Sequence, residues 1–171
     1  MKTRKKIGLL LILLSISGYG QAQTNPNPQT MRNTMDVVAL RLKPGQDLKK
    51  EIMQWARSEK ITAGCLLTCV GSLEEVNLRF ANQPEGTALK GKFEIVSLVG
   101  TFSADAAHLH LSVSDSTGAT IGGHLMDGNR VYTTAELVIG IMPDLEFTRE
   151  PDPTYGYREL VIKRKSRKPK Q

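Results

Sequence analysis

Apolar and polar residues alternate over most of this chain, and the runs are short. Residues 35–42 alternate and are partly β-branched, which predicts a first strand, and Lys43-Pro44-Gly45 ends it with turn chemistry. Asp47 then stands where a helix N-cap belongs. Leu48, Ile52, Trp55 and Ala56 follow at three- and four-residue spacing up to about Glu59, so one principal helix is expected there. From Ile61 onward the period is two. Strands are expected over 64–71, 76–81, 91–99, 107–114, 119–125, 131–141 and 159–163. A loop runs through Asn82-Gln83-Pro84-Glu85-Gly86, and the segments Asp115-Ser116-Thr117-Gly118 and Asp127-Gly128-Asn129 suit tight hairpin connections. One helix beside many antiparallel strands predicts an α+β fold in which a curled sheet, tending towards a barrel, is covered on one face or end by that helix.

A length of 171 residues suits one sizeable core, and the ends separate from it by composition. Residues 1–22 read as a signal peptide: Lys2, Arg4, Lys5 and Lys6 precede an apolar run, and Gly20-Gln21-Ala22 supplies small residues in cleavage-site spacing. The apolar run covers roughly half of the ~20 residues a spanning helix needs, so the mature chain is expected to have no membrane span and to be periplasmic or secreted. Residues 23–34 read as a disordered leader, 35–162 as the folded domain and 163–171 as a basic, disordered tail.

The formal charge of +6 belongs to the ends. The signal segment carries four Lys/Arg and the tail six, which leaves 13 bases against 17 acids for residues 23–162. A mildly acidic domain is not a basic nucleic-acid surface, and an aromatic content of 5% does not furnish a stacking platform for single strands.

Two kinds of residue could carry chemistry. Cys65 and Cys69 share one face of a regular strand at roughly 13 Å, too far for a disulfide, and read as buried free thiols. All three histidines fall within seventeen positions: His108, His110 and His124. Two of them, on alternate strand residues, point to one face about 7 Å apart. Gly122-Gly123 before His124 would let a neighbouring backbone come close. Three imidazoles with an open fourth position suit a divalent transition metal such as Zn²⁺. The competing reading is three separate, hydrogen-bonded histidines. Glu94 and Glu136 lie within apolar runs and are candidates for a buried carboxylate, as metal ligand or proton carrier. No phosphate loop, HExxH or nucleophile elbow appears.

The order of motifs resembles one family. Arg41 to Leu48, Gly71-Ser72-Leu73, Gly91 to Leu98, His108 to Asp115, Gly122-Gly123-His124-Leu125 and Thr134-Ala135-Glu136-Leu137, taken together, look like the plant- and prokaryote-conserved (PPC) domain. The resemblance implies an antiparallel sheet flanked by helix, assembly as a homotrimer, and a metal site formed by the His-x-His and Gly-Gly-His motifs. It also implies a partner-binding segment, matched here by Gly91, Lys92, Phe93, Glu94, Ile95 and Val96. Plant members join the domain to AT-hook DNA-binding motifs, and the label "DNA-binding" descends from them. This chain has no Arg-Gly-Arg-Pro hook, so DNA is not an expected partner. The expected function is an exported trimeric binding module holding a divalent metal or small ligand. The alternatives are a His₃ metal enzyme, with Glu136 or Glu94 carrying the proton, and DNA binding by descent.

Overall fold

In the computed structural model, residues 30–154 and 156–165 are described. The expected signal peptide, the leader up to residue 29 and residues 166–171 lie outside them. Along the chain run β1 (Asp36–Leu42), α1 (Leu48–Ser58), β2 (Gly64–Arg79), β3 (Thr87–Phe102), β4 (Ala107–Ser114), β5 (Thr120–Leu125), β6 (Arg130–Ile141), β7 (Leu145–Pro151) and β8 (Arg158–Arg164). The first six strands form one antiparallel sheet in the order β1-β6-β2-β3-β4-β5, and β5 returns to pair with the end of β2. Four strands thereby close on themselves, with Leu78, Leu109, Leu111, Val113 and Leu125 buried within the core. The expected curled sheet with one principal helix is the architecture found.

Asp47 caps the helix as expected, its Oδ1 accepting from Lys50 N–H at 3.0 Å. Its other oxygen accepts from Gly128 N–H at 2.7 Å, which ties the helix start to the turn before β6. Leu48, Ile52 and Ala56, one face of the helix, are fully buried, and Trp55 meets Phe102 edge-on at 6.4 Å. Asn129, also fully buried, uses its side-chain amide as a short strand: Oδ1 accepts from Asn77 N–H, and Nδ2 donates to the carbonyls of Asn77 and Met126. An unpaired buried amide would be costly, so this latch holds the end of β2 against the end of β5.

Several expectations need correction. The segment expected as two strands, 64–71 and 76–81, is one strand whose pairing with β6 shifts at Leu66/Thr68, Gly71/Leu73 and Leu73/Glu75. A bulge interrupts alternation without ending a strand, and it reads as a break when only periodicity is followed. The first shift also moves Cys69 to the buried face while Cys65 stays partly exposed on the other, so the two thiols do not share a face and only one is buried. β7 was not expected. It pairs with β8 in a separate hairpin over a small cluster of Ala63, Leu145 and Phe147, and Phe147 N–H donates to the Thr62 carbonyl at 2.9 Å. The basic tail does not begin at residue 163: Lys163 and Arg164 lie in β8, and Lys165 N–H donates to the Asp144 carbonyl at 2.9 Å.

Candidate metal centre and its cleft

His108 and His110 project from the outer face of β4, since Leu109 between them is buried. β5 returns antiparallel beside β4 through the Asp115–Gly118 turn, and its register sets His124 directly opposite His110. Two glycines make this possible. A Cβ on Gly123 would lie 2.8 Å from the Arg79 carbonyl oxygen of β2, so the β5–β2 closure needs a residue without one. Gly100, at φ +140°, lets β3 approach the His108 carbonyl where any Cβ would overlap it.

The three rings converge, with centroids 4.9, 5.3 and 5.8 Å apart. One ligand atom from each lies within 4.8 Å of the others. His108 Nε2 and His110 Nε2 are 3.2 Å apart. Two nitrogens bound to one tetrahedral zinc at about 2.0–2.1 Å stand roughly 3.3 Å apart, so this pair already has the needed separation. His124 Nδ1 is buried and has no hydrogen-bond partner among the described residues. A buried polar atom left unsatisfied is rare, and a ligand of the ring cluster would account for it.

Electrostatics favour the neutral form of His108 and His124. Burial, then Arg79, the other two histidines and Lys49, push His124 down to about 4. Burial and then Arg149 and His110 lower His108 as well. Neutral imidazole is the form that binds a metal.

Beside the rings is an open cleft of about 370 Å³, whose charged walls are Arg79 from β2, Arg149 from β7, and Arg158 and Glu159 from β8. Arg149 donates to Thr101 Oγ1 at 3.3 Å and lies 3.5 Å from His108 Nδ1, while Arg158 donates to the Arg149 carbonyl. None of these arginines could be singled out from the sequence. Only the β7–β8 docking and the return of β5 bring them to the histidines, and nothing in local pattern marks that.

The other candidates lie elsewhere. Glu94 and Glu136 are exposed, Glu94 opposite Ser72 and Ser114 and Glu136 opposite Arg41 and Val70; neither lines the cleft. Within the segment 91–96, Phe93 and Ile95 are buried in the core, so only Lys92, Glu94 and Val96 present side chains outward beside Gly91. Lys92 Nζ stands 3.1 Å from the Tyr132 ring centroid.

Comparison with known proteins decides the family. The Plants and Prokaryotes Conserved domain, abbreviated PCC or PPC, matches residues 29–143. The chain belongs to this family. Part of the bifunctional protein GlmU of Synechococcus sp. (strain JA-3-3Ab) is 46% identical to this PPC chain over 131 residues, which are 77% of this chain and 21% of GlmU. The AT-hook motif nuclear-localized protein 13 of Arabidopsis thaliana is 30% identical over 118 residues, covering 61% and 26%. The PPC chain therefore spans about a fifth to a quarter of the length of these curated relatives. Among solved structures, a hypothetical protein of Salmonella enterica superposes with a TM-score of 0.79 at 42% identity, over 81% of this chain and 100% of its own. A metal-containing protein of Archaeoglobus fulgidus superposes at 0.66 and 21% identity, over 78% and 99%, and shares the PPC fold.

Proposed function

We propose that this PPC chain is an exported binding module that assembles as a homotrimer and holds one divalent transition metal through His108, His110 and His124. The observation that carries the metal reading is the convergence of three imidazoles around one point, with His124 Nδ1 left without a protein partner among the described residues. A structural relative described as metal-containing is consistent with it. Export rests on the tripartite character of residues 1–22.

Self-association is supported by apolar side chains on the outer face of neighbouring strands: Leu67 and Val70 on β2, and Val96 and Val99 on β3, each at least 43% exposed. Val99 lies opposite His110 in the register, so this apolar surface borders the histidines. A contiguous exposed apolar patch is the usual mark of an interaction surface. Nothing in the fold favours the enzyme alternative with Glu94 or Glu136, because both stand outside the cleft.

Titrating Zn²⁺ into wild type, His110→Ala and Cys65→Ala tests the metal reading. Loss of one of three ligands should weaken binding by more than the roughly 10–100-fold that loss of an outer-shell partner costs, while Cys65→Ala should bind as wild type does. Equal affinity for wild type and His110→Ala would overturn it. Light scattering on the mature chain should report a trimer; a monomer at micromolar concentration would refute that part.

A further inference from the structure

The cleft beside the histidines has predominantly basic walls. Arg79, Arg149 and Arg158 face it against a single carboxylate, Glu159. Among the described residues no carboxylate lies within ion-pair distance of any of the three arginines, although five ion pairs form elsewhere on the surface. Their recorded bonds go to neutral groups: Arg79 to the Gln83 carbonyl, Arg149 to Thr101, and Arg158 to the Arg149 carbonyl. Most N–H donors of the three forks thus have no protein acceptor among the described residues.

We propose that this cleft is the site of a small oxyanion-bearing ligand, a carboxylate or a phosphate monoester, whose charged head is clamped by Arg79 and Arg149 over the metal held by the histidines. The inference rests on the metal reading above. The chemical class follows from the donor set. Guanidinium forks match two oxygens of a carboxylate or phosphate at once, and a His₃ metal leaves a fourth position that an oxygen ligand fills.

The tautomer of His108 couples the two components. Arg149 carries only donors, so its approach to His108 Nδ1 at 3.5 Å is favourable only while that nitrogen has no proton. The neutral ring then keeps its proton on Nε2, where His110 Nε2 receives it at 3.2 Å. Coordination through His108 Nε2 requires the opposite tautomer, with the proton on Nδ1. Donor then faces donor, and the Arg149 guanidinium is freed to seek an acceptor in the cleft. Metal and oxyanion therefore favour one another's binding, reciprocally.

Calorimetric titration of the full-length chain with succinate and with glycerol 3-phosphate, before and after loading with one equivalent of Zn²⁺, tests this. Succinamide serves as the neutral isostere of succinate. At least one of the two anions should bind the zinc-loaded protein roughly tenfold or more tightly than the zinc-free protein, and succinamide should not bind. Whichever anion binds shows which oxyanion the cleft takes. Arg149→Gln and Arg79→Gln should each weaken that anion roughly tenfold, and an unchanged circular-dichroism spectrum shows that the variants are folded. Zinc binding without any anion response, or anion binding unchanged in both variants, would overturn the inference and leave the metal reading standing. Failure of the wild type to bind zinc would overturn both.

Discussion

His110 and His124 stand directly opposite one another on β4 and β5, their ring centroids 5.8 Å apart and nearly perpendicular at 81°. That pairing turns the His-Leu-His of one strand into a three-sided cluster, and it depends on the glycine one residue before His124. Gly123 sits where a Cβ would come 2.8 Å from the Arg79 carbonyl oxygen.

Gly123→Ala should therefore push β5 from β2 and carry His124 out of the cluster. The contact is with backbone, so it cannot be relieved by a side-chain rotation. The expected cost is about 1–3 kcal/mol of stability together with weaker zinc binding, checked by chemical denaturation and by metal titration of the same preparation. Unchanged values in both would show that β5 yields without strain.

The metal-free protein should lose stability as the pH falls from 6.5 to 4. Burial holds His124 at about 4 in the fold, against 6.5 for the ordinary side chain. Between these values the unfolded chain takes up the proton and the folded chain does not. The contribution of His124 is thus fully present above pH 6.5 and declines below it, by roughly 1–2 kcal/mol once discounted for the partial solvent exposure of the ring. Denaturation of wild type and His124→Gln at pH 7 and pH 4.5 should show the smaller pH dependence in the variant. The same depression shifts proton competition for the metal at His124 to lower pH than the ordinary histidine value near 6.5.

The two thiols should differ in reactivity. Burial, with Glu136 adding repulsion, pushes Cys69 up to about 12, and burial raises Cys65 while the Gly140 backbone acts to lower it. Thiolate is the reactive form. Iodoacetamide at pH 8 should label Cys65 in the folded protein and Cys69 only after denaturation, as mass spectrometry of the peptides would report. Labelling of both at one rate would contradict the placement of Cys69 in the core.

Removal of residues 166–171 should abolish any weak DNA binding while leaving the fold intact. These residues carry Arg167, Lys168 and Lys170, whereas Lys163 belongs to β8 and is paired with Glu150 at 2.7 Å. The salt dependence of duplex binding, if wild type shows one, should fall by up to about 3 in slope. A truncated chain that shifts DNA with an undiminished slope would assign that affinity to the domain itself.

Much of the architecture was legible in the sequence because it is encoded locally. The period of two named most strands, and the spacing of Leu48, Ile52 and Ala56 behind Asp47 named the helix and its cap. His108 and His110 could be put on one face from alternation alone. Tertiary structure decided the rest. Whether β5 returns beside β4 or elsewhere is a matter of long-range register, which hydrogen bonds such as the Asn129 latch settle and periodicity does not record. The bulges that merge 64–79 into one strand and part Cys65 from Cys69 break alternation, and the one at Leu66/Thr68 that separates the thiols falls on no glycine, whereas the next stands at Gly71. Arg79, Arg149 and Arg158 come from three strands and meet only because β2 closes on β5 and the β7–β8 hairpin docks on Thr62 and Thr101. Side-chain chemistry is written residue by residue, but a site is a convergence in space, and convergence belongs to the fold.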